Sequence, residues 1–245
     1  MPHIEIAAER LFSVFGFPIT NTFLMSWIVF VLLVIGAYIV SRHVSLVPNG
    51  LQNLVEMIIE AFIDLMEKMI GSREHATRHV PLVATIFLFI LLSNWLGVFP
   101  GIGSVGIEGQ HDGTRVFTPL FRSAASDLNV TLALGIIAVA AINASGIAAL
   151  GIKHHLSKFF SLKGPIQFFV GILEFISEFA RIISFSFRLF GNILAGEVLI
   201  VVVSFLSPFG APLPFMILEL FVGFMQALVF AMLFMVFTSI AVARH

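Results

Sequence analysis

Five stretches of this sequence are long and apolar enough to cross a lipid bilayer, and that narrows what the chain can fold into before any other feature is weighed. About 20 mostly apolar residues in a helix cover the roughly 30 Å hydrocarbon core. The runs extend from Thr22 to Val40, Val80 to Phe99, Asn129 to Leu150, Pro165 to Leu206 and Pro214 to Ala243. Composition agrees: 59% of the 245 residues are hydrophobic and 11% charged, against about 25% charged in an ordinary soluble domain. With a mean hydropathy of +1.06, such a chain needs lipid as its main solvent. The expected fold is an all-α polytopic membrane protein, with about five membrane helices, one amphipathic surface helix, and a long inclined hairpin made by the last two spans.

The lengths of those last two spans carry the hairpin expectation. At 1.5 Å per residue, Pro165 to Leu206 is roughly 60 Å of helix and Pro214 to Ala243 about 45 Å. Neither can stand upright in a bilayer, so each must tilt or bend, with Gly191 and Gly196 as candidate bending points. Only Ser207 to Leu213 joins them, which makes them antiparallel neighbours. Residues 51–70 differ from the spans. Glu56, Glu60, Asp64 and Glu67 recur at helical spacing among Leu, Ile, Met and Phe, the pattern of a helix lying at the membrane surface or against a partner.

No internal repeat or low-complexity tract divides the chain. Residues 1–245 are therefore expected to form a single membrane domain, with an outer tail at 1–21 and a helical hairpin at 165–243. The start Met1-Pro2-His3-Ile4-Glu5 has no basic segment ahead of an apolar one, so the first span is expected to be retained rather than cleaved. A net charge of -1 gives no basic field for nucleic acid, and zero cysteines exclude disulfides and thiolate chemistry. No metal site or cofactor is expected. Placing the N-terminus outside puts Arg42, Lys68, Arg73, Arg78, Lys153, Lys158, Lys163 and Arg244 inside, and Arg10, Arg115 and Arg122 outside. The excess of Lys and Arg inside favours that orientation, with the C-terminus cytoplasmic.

The informative residues are the polar ones within the last two spans: Glu174, Glu178, Arg181, Arg188, Asn192, Glu197, Glu219 and Gln226. A charge at mid-bilayer costs about 2.5–3.5 kcal/mol on insertion scales, so it usually faces a wet cavity, a partner or another charge. At 100° per residue, Arg181, Asn192, Glu174 and Glu178 fall within about 80° of Arg188, whereas Glu197 comes out about 180° away. Glu219 and Gln226, seven apart, share a face of the last helix. A guanidinium holds its proton and a carboxylate can exchange one. Arg188 accordingly reads as an electrostatic gate and Glu197 as a proton relay.

Other roles fit the same positions. Glu174, Glu178 and Arg181 could be interfacial charges paired along one helix. Arg188 and Glu197 could be structural pair members, and Asn192 and Gln226 interhelical hydrogen-bonding groups. Asp127 with Asn129 could cap the third span or line an outer entrance. His154 and His155 sit in a basic loop that reads as solvated.

The string Ser186-Phe187-Arg188-Leu189-Phe190-Gly191-Asn192-Ile193-Leu194-Ala195-Gly196-Glu197 closely resembles the signature of the a-subunit family of F-type ATP synthases. Gln226-Ala227-Leu228-Val229-Phe230, Ser126-Asp127-Leu128-Asn129-Val130-Thr131 and Asn94-Trp95-Leu96-Gly97-Val98-Phe99-Pro100 extend the resemblance over most of the chain from the second span onward. It implies a non-catalytic, ion-translocating stator subunit in a bacterial inner membrane. The implied partners are a rotor ring of c subunits carrying an essential carboxylate, the b/b' peripheral stalk, lipid, and the remainder of the F1Fo complex. It further implies that Arg188 faces the rotor carboxylate, with Asn192, Glu197, Glu219 and Gln226 in the same functional region and Glu174 and Arg181 toward the cytoplasm. Two half-channels would couple proton flow to rotation and ATP synthesis. Glu219 falls where some members have histidine, so the outer path of this chain carries two carboxylates that titrate as a pair. A solute transporter using Arg188 to bind an anion would predict saturable uptake by the chain alone. A purely structural subunit would tolerate exchange of charges between helices.

Overall fold

The computed structural model describes residues 8–14, 17–42, 44–45, 50–99, 101, 105–111, 114–152, 165–207 and 210–242. Its helices are α1 (Asn21–Arg42), α2 (Leu51–Ile70), α3 (Arg73–Val98), α4 (Leu128–Leu150), α5 (Pro165–Leu206) and α6 (Pro212–Val242). Among the described residues, five of these, all but α2, have the length and apolarity to span a membrane. The basic loop with Lys153, His154, His155, Lys158 and Lys163 lies outside the described residues, as do His43 and Arg244.

The polytopic α-helical fold expected from the apolar runs is the one found. The span placed at Val80 to Phe99 starts earlier, at Arg73, and carries Pro81 within its third turn. Two short antiparallel pairs, β1 (Arg10–Val14) with β2 (Phe17–Thr20) and β3 (Gly106–His111) with β4 (Thr114–Pro119), were not anticipated. Each is too short to show more than a few alternations of side chain. They sit next to the N-terminus of α1 and between α3 and α4, and thereby mark one end of the bundle.

Helix ends at that hairpin end are tied by polar side chains. Asp127 caps α4: one carboxylate oxygen accepts from the Asn129 backbone N–H at 2.8 Å and the other from the Thr22 hydroxyl at 2.8 Å. A cap of this kind satisfies orphan amides of the first turn. The Asn21 side-chain amide donates to the Pro119 carbonyl at 3.3 Å. The start of α1 is thus pinned, with Asn21, Thr22, Met25 and Val29 buried, while Trp27, Phe30, Tyr38 and most of the later α1 side chains point outward.

The core lies where α3, α4, α5 and α6 meet. Val83, Ile90, Ile142, Leu189, Ile193, Phe234 and Met235 are buried there. Small residues allow close crossings, as is usual for membrane helices. Gly135 of α4 meets Ser186 and the Ile182 carbonyl of α5, and Gly223 of α6 lies against Asn94 of α3. The Asn94 amide donates to the Gly223 carbonyl at 3.1 Å, and the Trp95 indole N–H to the Leu220 carbonyl at 3.0 Å. The amphipathic α2 turns Phe62 and Met66 onto this core, with Phe62 edge-on to Phe87 of α3 at 5.2 Å. Its acidic row stays outside, where Arg73 bridges Glu60, Asp64 and Glu67.

Candidate functional site

The register of α5 decides which way Arg188 faces. Phe185, Leu189 and Ile193 recur every four residues and are buried against α4 and α6, the stripe expected of a helix with one packed face. Residues out of phase with that stripe turn outward, and Phe187, Arg188, Gly191 and Asn192 are exposed. Arg188 Nη2 donates to the Ser184 hydroxyl at 3.2 Å. Among the described residues no carboxylate pairs with Arg188, and neither the Asn192 nor the Gln226 side-chain amide makes a hydrogen bond within the chain. Among the described residues, neither side chain bridges two helices by a hydrogen bond. A groove of about 260 Å³ runs along α5 from Arg188 past Ser184 and Arg181 to Ser177, walled by Leu233 and Phe237 of α6.

The charges nearer the start of α5 are arranged differently. Helical phase grouped Glu178 with Arg188, but Glu178 is buried and turned toward α4, where the Asn143 amide donates to it at 3.2 Å. Arg181 pairs with the same Glu178 oxygen at 2.9 Å and lays its guanidinium 4.3 Å from the centre of the Phe237 ring. The angle of about 80° between Glu178 and Arg188 is what separates an inward carboxylate from an outward cation. Glu178, Arg181, Asn143 and Phe237 form a clasp across α4, α5 and α6, which fits the structural reading of these charges. Glu174 lies one turn earlier on α5 and is partly buried.

Toward the hairpin end, the structure joins the two remaining carboxylates. Glu219 of α6 is buried, and its carboxyl group packs directly on Gly196 of α5, in the space a Cβ would take. Glu197 is the next residue. Its partner lies outside both helices: Arg122, in the segment before α4, places Nε 2.9 and 3.1 Å from the two Glu197 oxygens. The arginine side chain is 8% exposed and the glutamate 33%. Gly196, a candidate bending point by sequence, is the contact that lets a carboxyl reach the α5 backbone.

Among the described residues, Ser93 Oγ, Asn94 Oδ1 and Glu219 Oε1 are buried without a hydrogen-bond partner. A buried polar atom left unpaired is costly unless water or a transferable proton reaches it. Ser93 and Asn94 come from α3, Glu219 from α6, and Ser123, which donates to the Ser93 carbonyl at 3.3 Å, from the loop beside Arg122. Asp127 and Asn129 are engaged in capping α4 in the same neighbourhood.

Sequence reasoning put Arg188 and Asn192 on one face of a helix and Glu197 on the opposite one, and paired Glu219 with Gln226 on the last helix; in the structure Arg188 and Asn192 are exposed, Glu197 meets Arg122 and Glu219 is buried. It missed Arg122 and Asn143 as partners. Arg122 had been counted only as a loop charge, because 75 residues separate it from Glu197 and no helical period links them.

A family model described as ATP synthase A chain matches residues 23–239. ATP synthase subunit a of Moorella thermoacetica is 30% identical over 245 residues, covering 100% of both chains. The protein of the same description from Gloeobacter violaceus is 37% identical over 225 residues, covering 92% of this chain and 85% of the relative. That from Campylobacter jejuni strain RM1221 is 34% identical over 209 residues, with 84% and 83% covered.

Proposed function

Because the chain belongs to the ATP synthase A chain family, a group of multi-pass membrane subunits of the ATP synthase, we propose that it is the stator element holding two proton half-channels against a rotor ring of c subunits. The observation that carries this reading is the outward Arg188, which pairs with no carboxylate among the described residues, on a helix that turns Glu197 to its opposite side and has the Glu219 carboxyl of α6 packed on the adjacent Gly196. A mid-membrane guanidinium turned away from its own chain needs an external anion, because lipid tails cannot solvate it. A carboxylate carried by another subunit is the matching group.

In this proposal protons enter from the N-terminal-outside face, at the hairpin end. They pass the polar cluster of Ser93, Asn94, Glu197 and Glu219 and protonate a rotor carboxylate. Once neutral, that carboxyl can turn through lipid. After nearly a full revolution it reaches the groove between Arg188 and Arg181, where Ser184, Ser177 and Glu174 offer a polar way to the cytoplasm. Arg188 favours the ionised rotor carboxylate by Coulomb attraction, so the proton is released there rather than carried past. The same fixed charge bars a proton from running straight between the two paths. Asn192 and Gln226, whose amides make no hydrogen bond among the described residues, extend the rotor-facing surface next to Arg188.

Each proton brings about 2.3 kcal/mol per 100 mV of membrane potential, and the barrier at Arg188 is what turns that flow into rotation. The chain itself carries out no bond chemistry. It acts as one domain, with α5 and α6 as the translocating hairpin and the b/b' stalk anchoring it in a bacterial inner membrane. The test is Arg188→Ala in the intact complex. Coupled ATP synthesis should disappear while the membrane becomes passively leaky to protons, and normal coupling would rule the proposal out.

A further inference from the structure

We infer that Trp95 is a positioning residue of the outer path: with its neighbour Asn94 it sets the rotation of α6 that seats the Glu219 carboxyl on Gly196. This rests on the half-channel reading above and adds a side chain to which that reading gives no task.

Two consecutive side chains of α3 bond to carbonyls of α6 about one turn apart. The Trp95 indole N–H donates to the Leu220 carbonyl at 3.0 Å and the Asn94 amide to the Gly223 carbonyl at 3.1 Å. A carbonyl already bonded along its own helix keeps a second lone pair, so neither contact has to open α6. At 100° per residue, Gly223 lies about 40° and Leu220 about 100° round α6 from Glu219. The grip is therefore beside Glu219, and any rotation of α6 within it turns the carboxyl off Gly196. Gly223 brings the helices close, since Asn94 packs where its Cβ would stand and Trp95 Cδ1 lies 3.7 Å from the same point. Trp95 is exposed on a membrane helix, where lipid tails offer its N–H no other acceptor.

Such a grip places α6 only if α3 is itself fixed. The same turns of α3 receive the loop before α4: Ser123 packs on Gly97, and its hydroxyl donates to the Ser93 carbonyl at 3.3 Å. Arg122, the residue before it, meets Glu197. The outer turns of α3 thus link the supports of both carboxyls, Glu197 through the loop and Glu219 through α6. Little play is available. Side chains reach about 5–6 Å from a helix axis, so a rotation of about 10° moves the carboxyl by about 1 Å, and a misplacement of that size can slow a reaction by about 10²-fold.

The assembled complex in native membrane vesicles tests the assignment. Trp95→Phe keeps an aromatic ring and removes the N–H; Asn94→Ala removes the second bond. Each should lower ATP-driven proton pumping by about tenfold or more, with normal subunit content by immunoblot and a melting shift in detergent of less than about 4 °C. The turnover-independent measurement is a disulfide between Gly196→Cys and Glu219→Cys, free of background within a chain that has no cysteine. Adding Trp95→Phe to that pair should slow copper-phenanthroline cross-linking about tenfold, because a disulfide tolerates only about 1 Å of spread in Cβ separation. Unchanged cross-linking would overturn the assignment even if pumping fell, since Trp95 would then act only as an interfacial anchor. Normal pumping together with normal cross-linking would overturn it too, as would loss of Trp95→Phe from the membrane. Slow cross-linking with normal pumping would instead overturn the outer-path reading on which the assignment rests.

Discussion

Replacing Gly196 with alanine should disable the outer path without unfolding the subunit. A Cβ built at Gly196 meets three atoms first, all from the Glu219 carboxyl group, and every one is inside the closest approach that real Cβ atoms show. A methyl carbon and a carboxylate oxygen rest at about 3.5 Å, so the carboxyl must retreat by about 1 Å or more. The obstacle is the far end of a flexible side chain, and a rotamer change costs about 0.5–1.5 kcal/mol. Alanine returns about 0.8–1.0 kcal/mol of helix propensity, so net stability should hardly move. Proton transfer should suffer far more, because a misplacement of about 1 Å can lower a rate by about 10²-fold. The assay is ATP-driven proton pumping in inverted vesicles, with membrane content of the subunit followed in parallel. Gly36→Ala is the control, since a Cβ there meets nothing within 4 Å. Adding Glu219→Asp, one methylene shorter, should restore part of the lost pumping. Full pumping by Gly196→Ala would refute the reasoning, and so would disappearance of the subunit from the membrane.

Other expectations concern how the helices are held. Arg181→Ala breaks the ion pair with Glu178 and removes the contact with Phe237, so it should lower thermal stability in detergent by about 3–5 kcal/mol; replacing Glu178 with Gln and Arg181 with Met together should recover most of it, and a double variant no better than Arg181→Ala would contradict the clasp. Asp127→Ala removes the α4 cap and the acceptor for Thr22, with an expected loss of about 1–2 kcal/mol, measurable as a shift in the same melt. Gly223→Ala places a Cβ 2.9 Å from Asn94 Cβ, and should cost about 1–3 kcal/mol by overpacking, where an unchanged melting temperature would be the contrary outcome.

The membrane spans were legible because each requirement is local. A run such as Pro165 to Leu206 contains its own length, apolarity and boundaries, and α5 has those limits. The facing of Arg188 was nearly as accessible, since helical phase separates it from Glu197 without knowledge of any other element. What could not be read were contacts between distant segments. The distance from Arg122 to Glu197 depends on how the loop before α4 folds back, and the position of Glu219 on Gly196 depends on the crossing of α5 and α6. Glu178 shows the limit of phase alone. It sits close enough in angle to Arg188 to look like a neighbour, yet α4 covers that side of the helix and Asn143 engages it. The small β pairs escaped for a related reason, as four to six residues hold too short a pattern to stand out against a loop.

The central claim is that Arg188 meets a carboxylate belonging to another subunit. It is tested most directly by a density map of this chain in its native membrane assembly, at a resolution that shows side chains around α5. The account predicts a ring of helices against the Arg188 and Asn192 face, with one carboxylate at or near ion-pair distance from the guanidinium. Lipid tails against Arg188, or a neighbouring helix with no acidic residue at that depth, would contradict it.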